Sequence, residues 1–185
     1  MFKGKEQGAV RPKLTVYELC FSAVCIAAAM ALSQIIVYHM PQGGSITACS
    51  MLFLALIGYR LGLAKGLVAC SVYGMLSLIL KPEVVGPWQL IMDYPLAFGM
   101  LGLSGLFKER KLGLVYGVIF GGLGRFVMHT ASGAIFFAEY AGAQNPWIYS
   151  SGYNIMYMGP EIILTAIVAA IIPFNRLMKQ FGDKI

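Results

Sequence analysis

The chain has 185 residues, of which 58% are hydrophobic and only 12% are charged, and its mean hydropathy is +0.73. A soluble domain carries about twice that share of charged residues, so the composition excludes a soluble globular domain and favours a fold embedded in lipid. The formal net charge is +6, but the basic residues form short clusters between apolar segments. That placement argues against a nucleic-acid-binding surface and indicates membrane topology.

Six apolar segments are candidates for membrane-spanning helices, which need about 20 apolar residues each. In chain order they are Val16–Tyr38, Ile46–Tyr59, Gly62–Leu80, Trp88–Phe107, Leu112–Phe137 and Tyr153–Pro173. The second segment is short for a complete crossing. The basic stretch before the first segment resembles a signal peptide, but the apolar run that follows is longer than a signal peptide's apolar core. We therefore interpret it as a retained first helix.

Basic residues divide unequally between the two sides of such a chain. With the N-terminus in the cytoplasm, twelve of the 14 Lys and Arg residues fall in cytoplasmic segments, Lys81 falls outside, and Arg125 lies within a span. Because basic residues concentrate in cytoplasmic loops, the sequence predicts an all-α polytopic membrane protein with six transmembrane helices and both termini cytoplasmic. We find no internal repeat, so we expect residues 1–185 to form a single transmembrane domain with cytoplasmic tails at 1–15 and 174–185.

A carboxylate and a proline interrupt the fourth predicted helix. Asp93 lies roughly 7 Å from its outer end at 1.5 Å per residue, and Pro95 removes a backbone hydrogen bond and crowds the carbonyl of Ile91. Asp93-Tyr94-Pro95 therefore predicts a helix break, which the membrane interior tolerates where the break lines a cavity. Asp93 is either a structural partner of Arg125 or a carboxylate that meets a cationic or donor-rich ligand.

Residues at helical spacing mark one face on each of the last two predicted helices. They are Arg125, His129, Ser132 and Phe136 in the fifth, and Asn154, Tyr157 and Glu161 in the sixth. We interpret Arg125 as a buried structural charge that Glu161 neutralises, whereas His129 fits a ligand contact and a structural hydrogen bond equally. These groups lie mostly in the outer half of the bundle, which predicts a pocket that is open to the outside and closed below.

The predicted outside loops are short, at His39–Ser45, Lys81–Pro87 and Ala138–Gly152. Four aromatic residues near them fit either an aromatic belt at the membrane interface or a pocket wall. These are Trp88, Trp147, Tyr149 and Tyr153.

Small residues recur every four positions on the first helix, at Ala23, Ala27 and Ala31. This spacing lets another helix approach closely, and that helix belongs either to the same bundle or to a separate membrane protein. The chain has no GxxxxGK[ST] loop, HExxH motif or nucleophile elbow, so we predict no catalytic residues. The four cysteines (Cys20, Cys25, Cys49 and Cys70) form no CxxC pair, and we expect no metal or cofactor.

Five segments carry a family pattern over about residues 16–175. They are Pro41–Ile46, Tyr59–Gly62, Leu90–Phe98, Gly124–Gly133 and Tyr149–Asn154. The Asp-Tyr-Pro-Leu-Ala-Phe run with the later Arg-x-x-x-His is fairly specific. Together the segments resemble the thiamine-specific substrate-binding (S) components of energy-coupling factor (ECF) vitamin transporters.

This resemblance implies thiamine binding in an outward-facing pocket, in the cell membrane of a prokaryote. It also implies docking onto a coupling transmembrane protein with two ATPase subunits, through Ala23, Ala27 and Ala31. The substrate-binding residues that it implies are Asp93, Tyr94, His129, Phe137, Tyr149, Asn154, Tyr38 and His39. The family often has glutamate where Asp93 stands and commonly uses tryptophan to stack the ligand rings.

Thiamine suits such a pocket because its thiazolium ring carries a fixed positive charge and its aminopyrimidine donates hydrogen bonds. A carboxylate about 4 Å from a unit charge contributes on the order of 4 kcal/mol at an effective dielectric of about 20, before desolvation. Three alternatives remain open at this point. They are an S component for another vitamin or a thiamine precursor, an intramembrane enzyme that uses Asp93 and His129, and a structural subunit without a ligand.

Overall fold

A computed structural model describes residues 15–41, 43–80, 82–108 and 110–174. Lys81 and all but the innermost residue of each predicted tail lie outside these ranges. Within them the chain forms six helices and one β-hairpin. We number the helices α1 Val16–Ser33, α2 Ser50–Leu61, α3 Leu63–Leu80, α4 Pro87–Phe107, α5 Gly113–Phe136 and α6 Pro146–Ile171.

The helix count agrees with the prediction, since five of these helices are long and apolar enough to cross a membrane and α2 is a shorter apolar helix. Protein surrounds the short helix α2. Nine of its 12 residues are buried, and it packs against each of the other five helices. Glycines allow the closest of these contacts, where Gly58 of α2 and Gly66 of α3 meet Gly102 of α4, as small residues do between membrane helices.

The β-hairpin corrects two predicted helix boundaries. Helix α1 ends at Ser33 and not at Tyr38, because β1 (Ile36–His39) pairs antiparallel with β2 (Ser45–Thr47). Helix α2 consequently begins at Ser50 and not at Ile46. A short apolar run fits a helix or a strand equally well, so hydropathy alone extended the first helix too far.

The start of α6 is a third correction, because the predicted outer loop Ala138–Gly152 is partly helical. The helix begins at Pro146, seven residues before the predicted start. The side chain of Asn145 accepts a hydrogen bond from the Trp147 backbone N–H at 2.9 Å, and proline is favoured in the first helical turn. A short 3₁₀ turn at Ala138–Ala141 precedes it, and α6 continues without interruption through Pro160.

Helix α4 changes its winding where the sequence predicts a break. It is α-helical at Pro87–Ile91, forms a π-helical turn at Met92–Leu96, and ends as a 3₁₀ helix at Met100–Phe107. A proline inside a helix cannot donate the usual hydrogen bond, and single π turns commonly mark functional sites. The turn contains both Asp93 and Pro95, so the helix bulges at the carboxylate instead of breaking.

Two contacts place the basic segments at one end of the bundle. Glu18 near the start of α1 forms an ion pair with Lys65 near the start of α3, and the Tyr59 hydroxyl at the end of α2 donates to the Arg110 carbonyl at 3.3 Å. The β-hairpin lies at the other end of α1. This is the arrangement that the charge distribution predicts, and the cytoplasmic location of the basic end stays a prediction.

Helix α1 turns only one side toward the core. Ser22, Cys25 and Ala29 are its buried residues, whereas Ala23, Ala27 and Ala31 are all exposed. The small-residue stripe therefore does not pack within this bundle, which was one of the two interpretations of the pattern.

Candidate ligand-binding site

A cavity of about 480 Å³ opens at the hairpin end of the bundle. Its walls come from the hairpin, from the loop at 82–86 and from helices α3, α4, α5 and α6. The volume lies within the usual range for small-molecule sites, about 300–1,000 Å³. This is the end of the last helices at which the sequence predicts a pocket, and its outward orientation stays a prediction.

Asp93 is the centre of a hydrogen-bonded cluster in this cavity. Its Oδ2 accepts from Gln89 Nε2 at 2.7 Å and from Ser132 Oγ at 2.9 Å, and its Oδ1 lies 3.0 Å from His129 Nδ1. The π-helical turn presents Asp93, and Gln89 precedes it by one helical turn. Because a carboxylate offers about four lone-pair sites, three internal donors leave Asp93 room for about one more.

His129 links this acid to a deeper charge pair. Its Nε2 lies 3.3 Å from Arg125 Nε. A guanidinium can only donate, so Nε2 must be the acceptor and Nδ1 carries the proton that is donated to Asp93. The contact fixes both the tautomer and the ring orientation of His129.

Arg125 and Glu161 neutralise each other at the bottom of the cavity, as the sequence predicts. Arg125 Nη1 lies 3.9 Å from Glu161 Oε2, and the Arg125 guanidinium lies 4.4 Å from the centre of the Phe98 ring, a favourable cation–π geometry. Glu161 is 1% exposed and also accepts hydrogen bonds from Thr47 and Ser50 at the base of the hairpin. Glu161 also lines the cavity, and the structural role of this charge pair stays a prediction.

Helix α6 supplies an amide and three tyrosines. Asn154 Nδ2 donates to the Ser150 carbonyl at 2.9 Å, and Tyr157 donates to Asn154 Oδ1 at 2.8 Å, so the amide orientation is fixed. Tyr149 and Tyr153 stack with ring centres 6.5 Å apart. The Tyr153 hydroxyl accepts from the Gly44 backbone N–H at 3.2 Å, which joins the hairpin turn to α6.

Six of the eight predicted substrate-binding residues line this cavity. They are Asp93, Tyr94, His129, Phe137, Tyr149 and Asn154. The structure does not bring Tyr38 and His39 to the wall, because both lie on the exposed strand β1. The hairpin instead contributes Pro41, Gly43, Gly44, Ser45 and Thr47. The binding roles of all eight residues stay predictions.

One aromatic residue differs from expectation, and two fit one of the alternatives left open for them. Phe136 is absent from the lining, which on α5 consists of Arg125, His129 and Gly133, with Phe137 directly after the helix. Trp88 and Trp147 are 71% and 53% exposed and do not line the cavity, which fits an aromatic belt.

Sequence reasoning did not single out Glu83, Gln89 or Tyr140, which all line the cavity. Gln89 lies four residues before Asp93, and that spacing places both on one helix face, so the signal for it was present. Glu83 lies in the loop at 82–86, and Tyr140 in a short 3₁₀ turn. Neither residue lies in a long helix, so helical spacing could not single it out.

Comparisons with known proteins give a consistent result. The family model described as thiamine transporter protein (Thia_YuaJ) matches residues 19–180. The thiamine transporter ThiT of Bacillus subtilis is 35% identical, over 85% of this chain and 92% of that protein. The ThiT of Lacticaseibacillus paracasei is 28% identical, over 82% of this chain and 84% of that protein.

Among solved structures, ThiT from Listeria monocytogenes superposes with a TM-score of 0.69 at 26% identity, and the match covers 91% of this chain and 96% of that one. These similarities extend over nearly the whole chain and include the helices that form the cavity. The chain therefore belongs to the thiamine transporter protein (Thia_YuaJ) family.

Proposed function

We propose that the protein binds thiamine with high affinity in this cavity and takes it up as the S component of an ECF-type transporter. The observation that carries the proposal is that six predicted residues, on α4, on α5 or directly after it, and on α6, line one cavity, in a chain of this family. Asp93 and Asn154 provide polar partners for an aminopyrimidine, and the aromatic walls suit flat, partly cationic rings.

The partner that this proposal requires is a coupling transmembrane protein with two ATPase subunits. The chain has no nucleotide-binding loop of its own, so energy has to come from outside it. The exposed stripe of Ala23, Ala27 and Ala31 supports docking at α1, because its small residues permit close approach of a second helix. The relatives above are named as transporters and not as enzymes.

Calorimetric titration of thiamine into the purified, detergent-solubilised protein tests the proposal. We expect saturable binding of one thiamine per chain, tighter than that of the separate pyrimidine and thiazole halves or of other B vitamins. Heat measurement is preferable to intrinsic fluorescence because Trp88 and Trp147 lie outside the cavity. Tighter binding of another vitamin would reassign the substrate, and absence of binding throughout the panel would refute the proposal.

A further inference from the structure

Glu83 is an acidic residue at the mouth of the cavity that neither the family resemblance nor the helix periodicity singled out. It lines the cavity in the loop between α3 and α4, it is exposed, and its carboxylate lies directly against Gly43 of the hairpin turn. It therefore stands where the loop and the hairpin meet over the cavity.

The backbone around Glu83 is held in place by hydrogen bonds. Its N–H donates to the Tyr94 hydroxyl at 3.0 Å, and its carbonyl accepts from Gln89 Nε2 at 3.0 Å. The Val85 N–H donates to Gln89 Oε1 at 3.1 Å. The same Gln89 amino group also donates to Asp93, so one amide connects the mouth of the cavity to the central carboxylate.

The three carboxylates of the cavity differ in how much of their charge is already compensated. Glu161 faces Arg125, Thr47 and Ser50, and Asp93 accepts from three internal donors. Within the described part of the chain, the carboxylate of Glu83 has neither a hydrogen-bond donor nor a cationic partner. It is thus the acid whose charge is most available to a ligand.

We propose that Glu83 is the residue that recognises the positive charge of the ligand, and that Asp93 serves mainly as a hydrogen-bond acceptor. This inference rests on the proposed function, since it assumes a ligand that joins a fixed cation to a hydrogen-bonding ring. Glu83 then sets a preference for cationic over neutral ligands of the same shape. Its contact with Gly43 places the same carboxylate beside the hairpin that covers the cavity.

The test compares thiamine with its neutral analogue, in which carbon replaces the charged thiazolium nitrogen to give a thiophene ring. Calorimetry is performed on the wild type and on Glu83→Gln, a nearly isosteric change that removes only the charge. We expect the variant to bind thiamine about fivefold more weakly, because one charge pair at a partly solvated site contributes about that much to affinity. We expect it to bind the neutral analogue with the affinity of the wild type. Retained binding of the analogue also shows that the variant is folded.

Glu139→Gln is the matched control. Glu139 is an exposed glutamate in the 3₁₀ turn at the same end of the bundle, but it does not line the cavity. This variant should leave both affinities unchanged. The salt dependence of thiamine binding provides a second readout, because added salt screens an exposed charge pair and the dependence should shrink in Glu83→Gln.

Two outcomes would overturn the inference. Glu83→Gln could leave thiamine affinity and its salt dependence unchanged, as Glu139→Gln should, or it could weaken binding of both ligands equally. Failure of the wild type to bind thiamine would instead refute the proposed function, together with this inference. The two results are distinguishable because the titration of the wild type tests the proposed function without any variant.

Discussion

At the scale of single residues, the site combines one heavily hydrogen-bonded acid with one neutralised charge pair. Asp93 holds Gln89, Ser132 and His129 in place, and Arg125 and Glu161 compensate each other below it. Asp93 lies at the cavity wall, whereas Glu161 lies at the bottom of the cavity and accepts hydrogen bonds from the base of the hairpin. The two acids should therefore respond differently to neutralisation.

We expect Asp93→Asn to weaken thiamine binding about 10–100-fold. An asparagine keeps one acceptor oxygen but replaces the other with a donor, which opposes the donors of Gln89 and Ser132. Hydrogen bonds to a charged group contribute about 1.5–3 kcal/mol each, and about 1.4 kcal/mol is tenfold in affinity. Calorimetric titration of the purified variant measures the loss.

Glu161→Gln is the companion variant and should weaken binding less than Asp93→Asn does. Its main effect should be on stability, because removal of one partner from a buried ion pair leaves the other charge uncompensated, at a cost of about 3–5 kcal/mol. Thermal unfolding in detergent measures that effect. If Glu161→Gln weakened thiamine binding as much as Asp93→Asn or more, the result would show that thiamine does not bind at Asp93.

Most of the cavity-lining residues that the sequence singled out lie on long helices, but Gln89 on α4 was missed, as were Glu83 and Tyr140 outside the long helices. Asp93, His129 and Asn154 stood out because polar groups in apolar helices are rare. Glu83 stood out only in the structure, because a glutamate in a short loop is ordinary in sequence. The family resemblance implied that Tyr38 contacts the ligand, whereas Tyr38 lies on the exposed strand β1 and does not line the cavity.

At the scale of elements, the π-helical turn of α4 depends on a close contact with α3. A Cβ added to Gly74 would collide with the Tyr94 carbonyl and with Pro95 Cα, both parts of the turn that carries Asp93. Only glycine allows α3 to approach this turn so closely. Pro95 predicted an irregularity in α4, but the sequence alone could not distinguish a π-helical bulge from a break in the helix.

We expect Gly74→Ala to destabilise the protein by about 1–3 kcal/mol, the usual cost of overpacking a tight contact. It should weaken thiamine binding at the same time, because backbone atoms of the π-helical turn have to move. Gly152→Ala in α6 is the control, since a Cβ there meets nothing within 4 Å. Melting temperature and calorimetry report the two effects. An unchanged melting temperature and thiamine affinity for Gly74→Ala would contradict the close contact between Gly74 and the π-helical turn.

At the scale of the whole molecule, we expect substitutions at the exposed alanines of α1 to affect uptake and not binding. We expect Ala27→Leu to leave thiamine affinity of the purified protein unchanged while reducing thiamine uptake by cells at least tenfold. A leucine protrudes where a partner helix has to approach closely. Radiolabelled uptake and calorimetry on the same variant measure the two quantities.

The control for this prediction is Ala170→Leu, the same substitution at an exposed position of α6. It should affect neither quantity. Normal uptake by Ala27→Leu would place the docking surface elsewhere on the bundle. Loss of binding by Ala27→Leu would show instead that α1 contributes to the site.

The architecture was largely predictable because few physical constraints determine it. Apolar length and the separation of basic residues gave six helices, and the structure places the basic segments Arg60–Lys65 and Lys108–Lys111 at one end. The hairpin between α1 and α2 was not predictable, since Ile35, Ile36 and Val37 extend the apolar run of the first helix without a break. Ile36 and Val37 form a strand because they pair with Ser45–Thr47. Such pairing depends on contacts between separate segments and cannot be read from local hydropathy.

An experimental structure of the protein with bound thiamine tests the location of the ligand most directly. We predict that thiamine lies in the cavity beneath the hairpin, in contact with Asp93 and Asn154 and with its thiazolium ring on the side of Glu83. Thiamine bound outside this cavity, or bound inside it without contact to Asp93 and Asn154, would contradict the account.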